Sequence, residues 1–380
     1  MRLIIKNVCF FAALFLLILK EYWTLFFMNS EPILLPEIVL FSAFLLGVAI
    51  FLTKLAKVEI IILCLALMSF IITKNVTFAV ISLALFSSKN INTKLIIKIY
   101  LLISSVLFLS ILVFATLDLM PSISAIDTRI VDGKTLLRYN LGFGSPNGPF
   151  LFFMPIFLST SILYSQKLAN TVLYSILIII VLIINNYTLS RTGFYSSFSF
   201  FILLLGFHLF HFERYSLIRF VLKNIIPVLI LVSISIALFM NTPAINSILA
   251  HRPGYWLLHI TGEVYTYNLW GYPWDDEYRR LITEIPLDNS FLSMILSKGA
   301  IFSFSVYLFY YKGIQGLLKA KENNYLAAIL TTLIFALFEN TLFVIGLNFT
   351  FFILYHSYLD EKKRKYEQNT QNNPLLLVEQ

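Results

Sequence analysis

Apolar runs of about 15–23 residues recur along most of this chain, separated by short polar breaks, and about 20 residues of helix span a bilayer. That repeat constrains the fold more than any other feature. The runs are continuous, so a β-barrel, built from alternating segments of about 10 residues, is excluded. Composition excludes a soluble core. Of the 380 residues, 59% are hydrophobic and 13% charged, with a mean hydropathy of +0.83. Soluble domains carry about a quarter charged residues, and here too little polar surface exists to cover a globule. The reading is an all-α, polytopic integral membrane protein, a single membrane domain over residues 1–380.

The runs place twelve spans at roughly 7–28, 33–53, 58–73, 75–88, 95–117, 146–165, 169–188, 192–212, 224–240, 290–311, 325–340 and 341–359. The third and fourth form one tight hairpin of short helices, the eleventh and twelfth another. The first run follows Arg2 and Lys6, as a signal peptide would, but "KEYWTLFF" stands where a small-residue cleavage site belongs. It reads as a retained first helix. Cys9 and Cys64 lie in different runs without a CxxC or a nearby His, and read as small hydrophobes rather than metal or redox ligands.

Lys and Arg orient the spans. With a cytoplasmic N-terminus, alternate loops put 18 of the 28 basic residues inside and 9 outside, with Lys298 within a span. Both termini are then cytoplasmic, and 360–380 is a solvated basic tail in reach of anionic lipid. The formal charge of +8 is a topology signal, not a nucleic-acid footprint. Most of the outside basic residues sit in loop 118–145, at Arg191, and in the large loop 241–289. Long loops this rich in aromatic residues are functional rather than disordered.

There is no phosphate-cradling Gly-rich loop with Lys, no HExxH, no GxSxG and no internal repeat. Charges at mid-bilayer depth are scarce, Lys298 and Lys98 being the nearest. Ion-coupled transporters keep several there, so the pattern argues against one, while a lipid flippase with a sparsely charged lumen stays open.

Four outside segments carry candidate chemistry. "LLRYNLGFGSPNGPF" has glycines and prolines that enforce a sharp re-entry, with Arg138, Asn140 and Asn147 on the bend. They read as a hydrogen-bonding cluster for a polar substrate, or as a capped helix start with a snorkelling Arg138. In "NNYTLSRTGFYSS", Arg191 stands beside Ser190, Thr192 and Gly193, where glycine admits a close backbone or ligand. In "HRPGYWLLHITGEVYTYNLWGYPW", Pro253 suits a helix start, and Arg252, Trp256, His259 and Glu263 share one helical face. The tyrosines and tryptophans there suit sugar rings or an interfacial belt. Asp275, Asp276 and Glu277 read as a solvated loop or a divalent-metal ligand set. In "PLDNSFLSMILSKGAIF", Asp288 and Asn289 stand at a helix mouth, fit for an N-cap, a general base, or both.

Taken in order, "YNLGFGSPNGPF", "TLSRTG", and "HRPGYW" followed by a Trp-Gly turn and "LDNSFLSMILSKGAIF" resemble Wzy-type repeat-unit polymerases of surface polysaccharides, relatives of the O-antigen ligases. The resemblance covers roughly residues 115–310. It implies a GT-C-like fold and an inverting glycosyltransferase that needs no metal or other cofactor. The enzyme would act at the outer face of a bacterial cytoplasmic membrane, on undecaprenyl-diphosphate-linked oligosaccharide, with a flippase and a chain-length regulator as partners. Arg191 and Arg252 would clamp the diphosphate, since Arg offers a charged bidentate fork. Arg138, Asn140 and Asn147 would hold one of the glycans, and Asn289 and Trp256 are further substrate-binding candidates. Related ligases carry a His at the position of Asp288, so the base stays open among Asp288, Glu263 and His259. A ligase passing glycan to another acceptor, and a lipid-linked oligosaccharide flippase, are the competing readings.

Overall fold

The structure, a computed structural model, describes residues 1–26, 35–117, 119, 126–131, 134–164, 170–249, 251–262, 268–273, 275 and 284–372. The apolar runs become helices: α1 (Arg2–Phe26), α2 (Leu35–Phe51), α3 (Lys57–Thr73), α4 (Thr77–Ser87), α5 (Thr93–Thr116), α6 (Gly148–Leu163), α7 (Asn170–Thr188), α8 (Arg191–Leu209), α9 (Ser216–Lys223) and α10 (Ile225–Phe239). After them come α11 (Pro243–Ile248), α12 (Arg252–Ile260), α13 (Ser290–Leu296), α14 (Ala300–Ala320), α15 (Asn323–Ala336) and α16 (Thr350–Asn372). One departure from all-α structure lies in loop 118–145, where β1 (Ile126–Val131) pairs antiparallel with β2 (Lys134–Tyr139), Asp127 opposite Arg138.

Twelve spans are not what forms. Among the described residues four helical stretches are long and apolar enough to cross a membrane: Arg2–Leu25, Thr93–Thr116, Thr171–Thr188 and Arg191–Leu209. A fifth arises if α9 and α10, bent by 77°, count together. The other expected spans fail on length or continuity. α2, α4, α6 and α15 run 17, 11, 16 and 14 residues. The run expected at 341–359 is helical only from Thr350, where Asn348 Oδ1 caps Thr350 N at 3.0 Å. The run expected at 290–311 breaks at residues 297–299, with Gly299 at φ 87°. An added Cβ there would lie 2.2 Å from Gly271 N, so backbone packs on backbone. The Trp-Gly segment uses that gap. Ala300 N donates to Asn268 O at 3.2 Å and Ile301 N to Leu269 O at 3.1 Å, satisfying the open N–H groups of α14.

α1 packs on α2, α5 on α6, α8 on α15 and α14 on α16. Their buried faces merge into one extended hydrophobic core that includes Phe150, Phe157, Phe200, Tyr310 and Phe352. Gly193 is where α8 meets α6. A Cβ at this position would stand 2.0 Å from Phe150 Cγ. The neighbour that glycine admits is thus an aromatic ring of the protein itself. Gly193→Ala is expected to cost about 1–3 kcal/mol by overpacking. An unchanged thermal midpoint in detergent would refute this.

Candidate active site

Arg252 opens α12, with Pro253 in the first turn as expected. Of the face expected from Arg252, Trp256, His259 and Glu263, the first three lie on α12, and Trp256 and His259 point inward. Trp256 is fully buried in a small core with Ala237, Leu287, Leu292 and Leu296, and its ring lies 6.1 Å from that of Phe338. Trp256 is therefore packing, not a platform for sugar. His259 is buried too, and its Nε2 hydrogen-bonds Ile285 O at 3.0 Å. A carbonyl only accepts, so Nε2 carries the proton, and burial lowers the imidazole pKa. Glu263, Tyr265, Tyr267, Trp274, Asp276 and Glu277 lie outside the described residues.

Packing of Trp256 on Phe338 brings Arg252 to the next residue, Glu339. Arg252 Nη2 donates to Glu339 Oε1 at 3.0 Å. Its Nη1 donates to Thr192 Oγ1 at 3.2 Å, and its Nε stands 3.8 Å from Asp288 Oδ2. Asn147 Nδ2 donates to the same Glu339 oxygen at 3.2 Å, and Arg138 Nη2 donates to Asn147 Oδ1 at 3.3 Å. Arg138 Nε reaches Thr188 O at 2.9 Å. Residues from all four outside segments are thus joined: Arg138 and Asn147 from the bend, Thr188 and Thr192 flanking Arg191, Arg252 of α12, and Asp288. Arg191 itself is the first residue of α8, half-buried.

Two other candidates hold the scaffold. Asn140 is fully buried, and its Oδ1 accepts from Gly142 N at 3.2 Å, fixing the bend. Asn289, not Asp288, is the N-cap. Its Oδ1 accepts from Phe291 N and Leu292 N at 2.9 Å each. Its Nδ2 donates to Leu337 O at 2.9 Å and Ser233 Oγ at 3.0 Å. Ser290 Oγ donates to Glu339 O at 2.9 Å, so the mouth of α13 also fixes the backbone at Glu339.

The two carboxylates on Arg252 live in different surroundings. The Glu339 side chain is 14% exposed and that of Asp288 45%. Burial pushes the Glu339 carboxyl up to about 7; the nearby Asp288 charge adds to the rise, and Arg252 opposes it. Partial burial also raises Asp288, against the pull of Arg252. One arginine beside two separated carboxylates gives a cation to hold an anionic group, a buried acid to orient that cation, and an accessible base.

Glu339 belongs to none of the four candidate segments. The signal was there: "LFEN" places one acid within an otherwise apolar stretch, where an ionisable residue is expensive. Comparison with family models, with curated proteins and with solved structures gives no match to this chain.

Proposed function

We propose that the protein is an inverting polysaccharide polymerase. It would transfer a growing glycan from undecaprenyl diphosphate to the terminal sugar hydroxyl of the next lipid-linked repeat unit, at the outer face of a bacterial cytoplasmic membrane. The observation that carries this reading is the convergence of the four outside segments on Arg252. In the proposed step the acceptor hydroxyl oxygen bonds to the anomeric carbon as the bond from that carbon to the diphosphate breaks. The hydroxyl proton passes to Asp288, and the electron pair leaves with the diphosphate, whose charge Arg252 and Arg191 stabilise. Glu339 and Thr192 hold the Arg252 fork, and Arg138 with Asn147 extends the polar surface toward the glycan. A GT-C-like arrangement with both termini cytoplasmic belongs to the same proposal.

Purified protein reconstituted with lipid-linked repeat unit is expected to lengthen it, and a chelator is expected to leave the rate unchanged. Failure to extend, with intact donor binding and capture of glycan by another acceptor, would replace polymerase by ligase. Loss of activity with chelator would bring Asp275 and Asp276 back as metal ligands.

Glu339 supplies a pH test with a defined sign. Below about 7 it is protonated and leaves Asp288 as the acid opposite Arg252; above about 7 its carboxylate adds a second negative charge against that cation. Donor affinity is expected to fall about tenfold as pH rises through this value, an effect of the order of one pKa unit. Glu339→Gln retains an oxygen for Arg252 and Asn147 but not the charge. It is expected to bind donor at the acid-limb affinity throughout. A variant that keeps the wild-type pH step would remove Glu339 from this role.

A further inference from the structure

The opposite end of the helices carries a second feature that the proposed reaction does not use. α8 runs from Arg191, beside the Arg252 cluster, to Leu209, about 28 Å away at 1.5 Å per residue. There the chain makes a short 3-10 turn (Phe212–Arg214) and enters α9. α9 is bent by 77° from α10. If α10 follows the bilayer normal, α9 lies close to the membrane plane.

The eight residues of α9 sort into three faces. Ile218 and Leu222 turn inward, and Leu222 is buried. Leu217 and Phe220, 72% and 66% exposed, form a lateral apolar face, continued by exposed Tyr215. Arg219 and Lys223, one turn apart, form the third and line a cavity of about 670 Å³. Arg214 and Lys321 line it as well. Among the described residues, none of these four cations has a carboxylate within salt-bridge distance, whereas Lys319, also at the cavity, is held by Glu361 at 2.7 Å. Glu213, the one acid lining the cavity, lies 3.6 Å from His211 Nδ1.

A cavity rimmed by four cations without a salt-bridge partner, against one acid, carries a net positive charge and calls for an anion, and the apolar face beside it calls for hydrocarbon. A helix with apolar and basic faces side by side, lying across the start of a span, belongs at the headgroup level. We propose that this cavity binds the headgroup of an anionic phospholipid, its phosphate on Arg214, Arg219, Lys223 and Lys321 and its acyl chains along Leu217 and Phe220. The inference stands apart from the reaction proposed above and would hold for any activity at the Arg252 cluster.

The test uses the full chain in detergent, with native mass spectrometry reading retained lipid from equimolar phosphatidylglycerol and phosphatidylcholine. Phosphatidylglycerol is expected to be retained preferentially, and Arg219→Gln with Lys223→Gln to lower that retention about thirtyfold, at the usual contribution of each basic residue near an anionic surface. Leu217→Ser with Phe220→Ser should also lower it, because the acyl chains lose their face. Should the charge variant not fold, the wild type alone decides. Raising salt from about 0.1 M to about 1 M shortens the Debye length from about 10 Å to 3 Å and should release phosphatidylglycerol toward the level of phosphatidylcholine. Equal retention of the two lipids, or salt-insensitive retention, overturns the proposal. So does a serine variant that loses no lipid while inorganic phosphate displaces what is bound, which would make this a site for a soluble anion.

Discussion

Arg252→Ala is expected to lower polymer synthesis about a thousandfold, since removing one preorganised donor from a developing anion costs about a hundred- to a thousandfold and here a full charge goes too. The substitution also takes away the partner of a buried acid. Breaking such a pair costs about 3–5 kcal/mol when the remaining charge stays buried. Glu339 has a way out: without the arginine its carboxyl, already up to about 7, rises further and takes a proton. The chain is therefore expected to insert and fold, and Arg252→Ala with Glu339→Gln should restore any lost thermal stability without restoring polymer. Arg252→Lys should be nearly as poor as alanine. A single ammonium cannot address Thr192, Glu339 and Asp288 from one planar fork as the guanidinium does. Near-normal polymer from Arg252→Ala would sink the clamp.

Asp288→Asn is the second large effect. A positioned base contributes about a hundred- to ten-thousandfold, so turnover should fall within that range while donor binding is retained. The amide keeps the shape of the carboxylate but cannot take the proton, and losing the charge opposite Arg252 leaves that cation free to hold the donor. Burial raises the Asp288 carboxyl, so the acid limb of the turnover profile is expected to lie higher than for a solvated aspartate. Single-turnover assays separate the binding and chemical steps. Chain growth at the wild-type rate in Asp288→Asn would move the base elsewhere, Glu263 being the next candidate from the sequence.

The helical membrane character was legible because apolar run length reports directly on it, and the helices of most runs start and stop within a few residues of expectation. The number of spans was not. Hydropathy registers an apolar helix buried among other helices just as it does one facing lipid, and α4 is nearly all buried. Nor does it show where a run stops being helical. The stretch 325–359 is almost continuously apolar, yet its helix ends at Ala336 and resumes at Thr350, which frees Glu339 from helical geometry. The site was legible as segments: Arg138, Asn147, Arg252 and Asp288 do meet. Glu339, the shared partner of Asn147 and Arg252, was not, because it lies 87 residues from Arg252 in sequence and no local spacing links them. Trp256 and His259 show the opposite limit. Spacing placed them on one face of α12 and could not tell which way that face turns.

The neighbours Asp288 and Asn289 differ by one heavy-atom type in their side chains and cannot trade places. The Asn289 side chain accepts two backbone N–H bonds and donates two to Leu337 O and Ser233 Oγ, so an acid there would set a negative charge against a carbonyl. The proposed role of Asp288 requires the reverse, a group that ionises and has no N–H. On that proposal, exchange of acid for amide at Asp288 and of amide for acid at Asn289 would each be harmful, for opposite reasons.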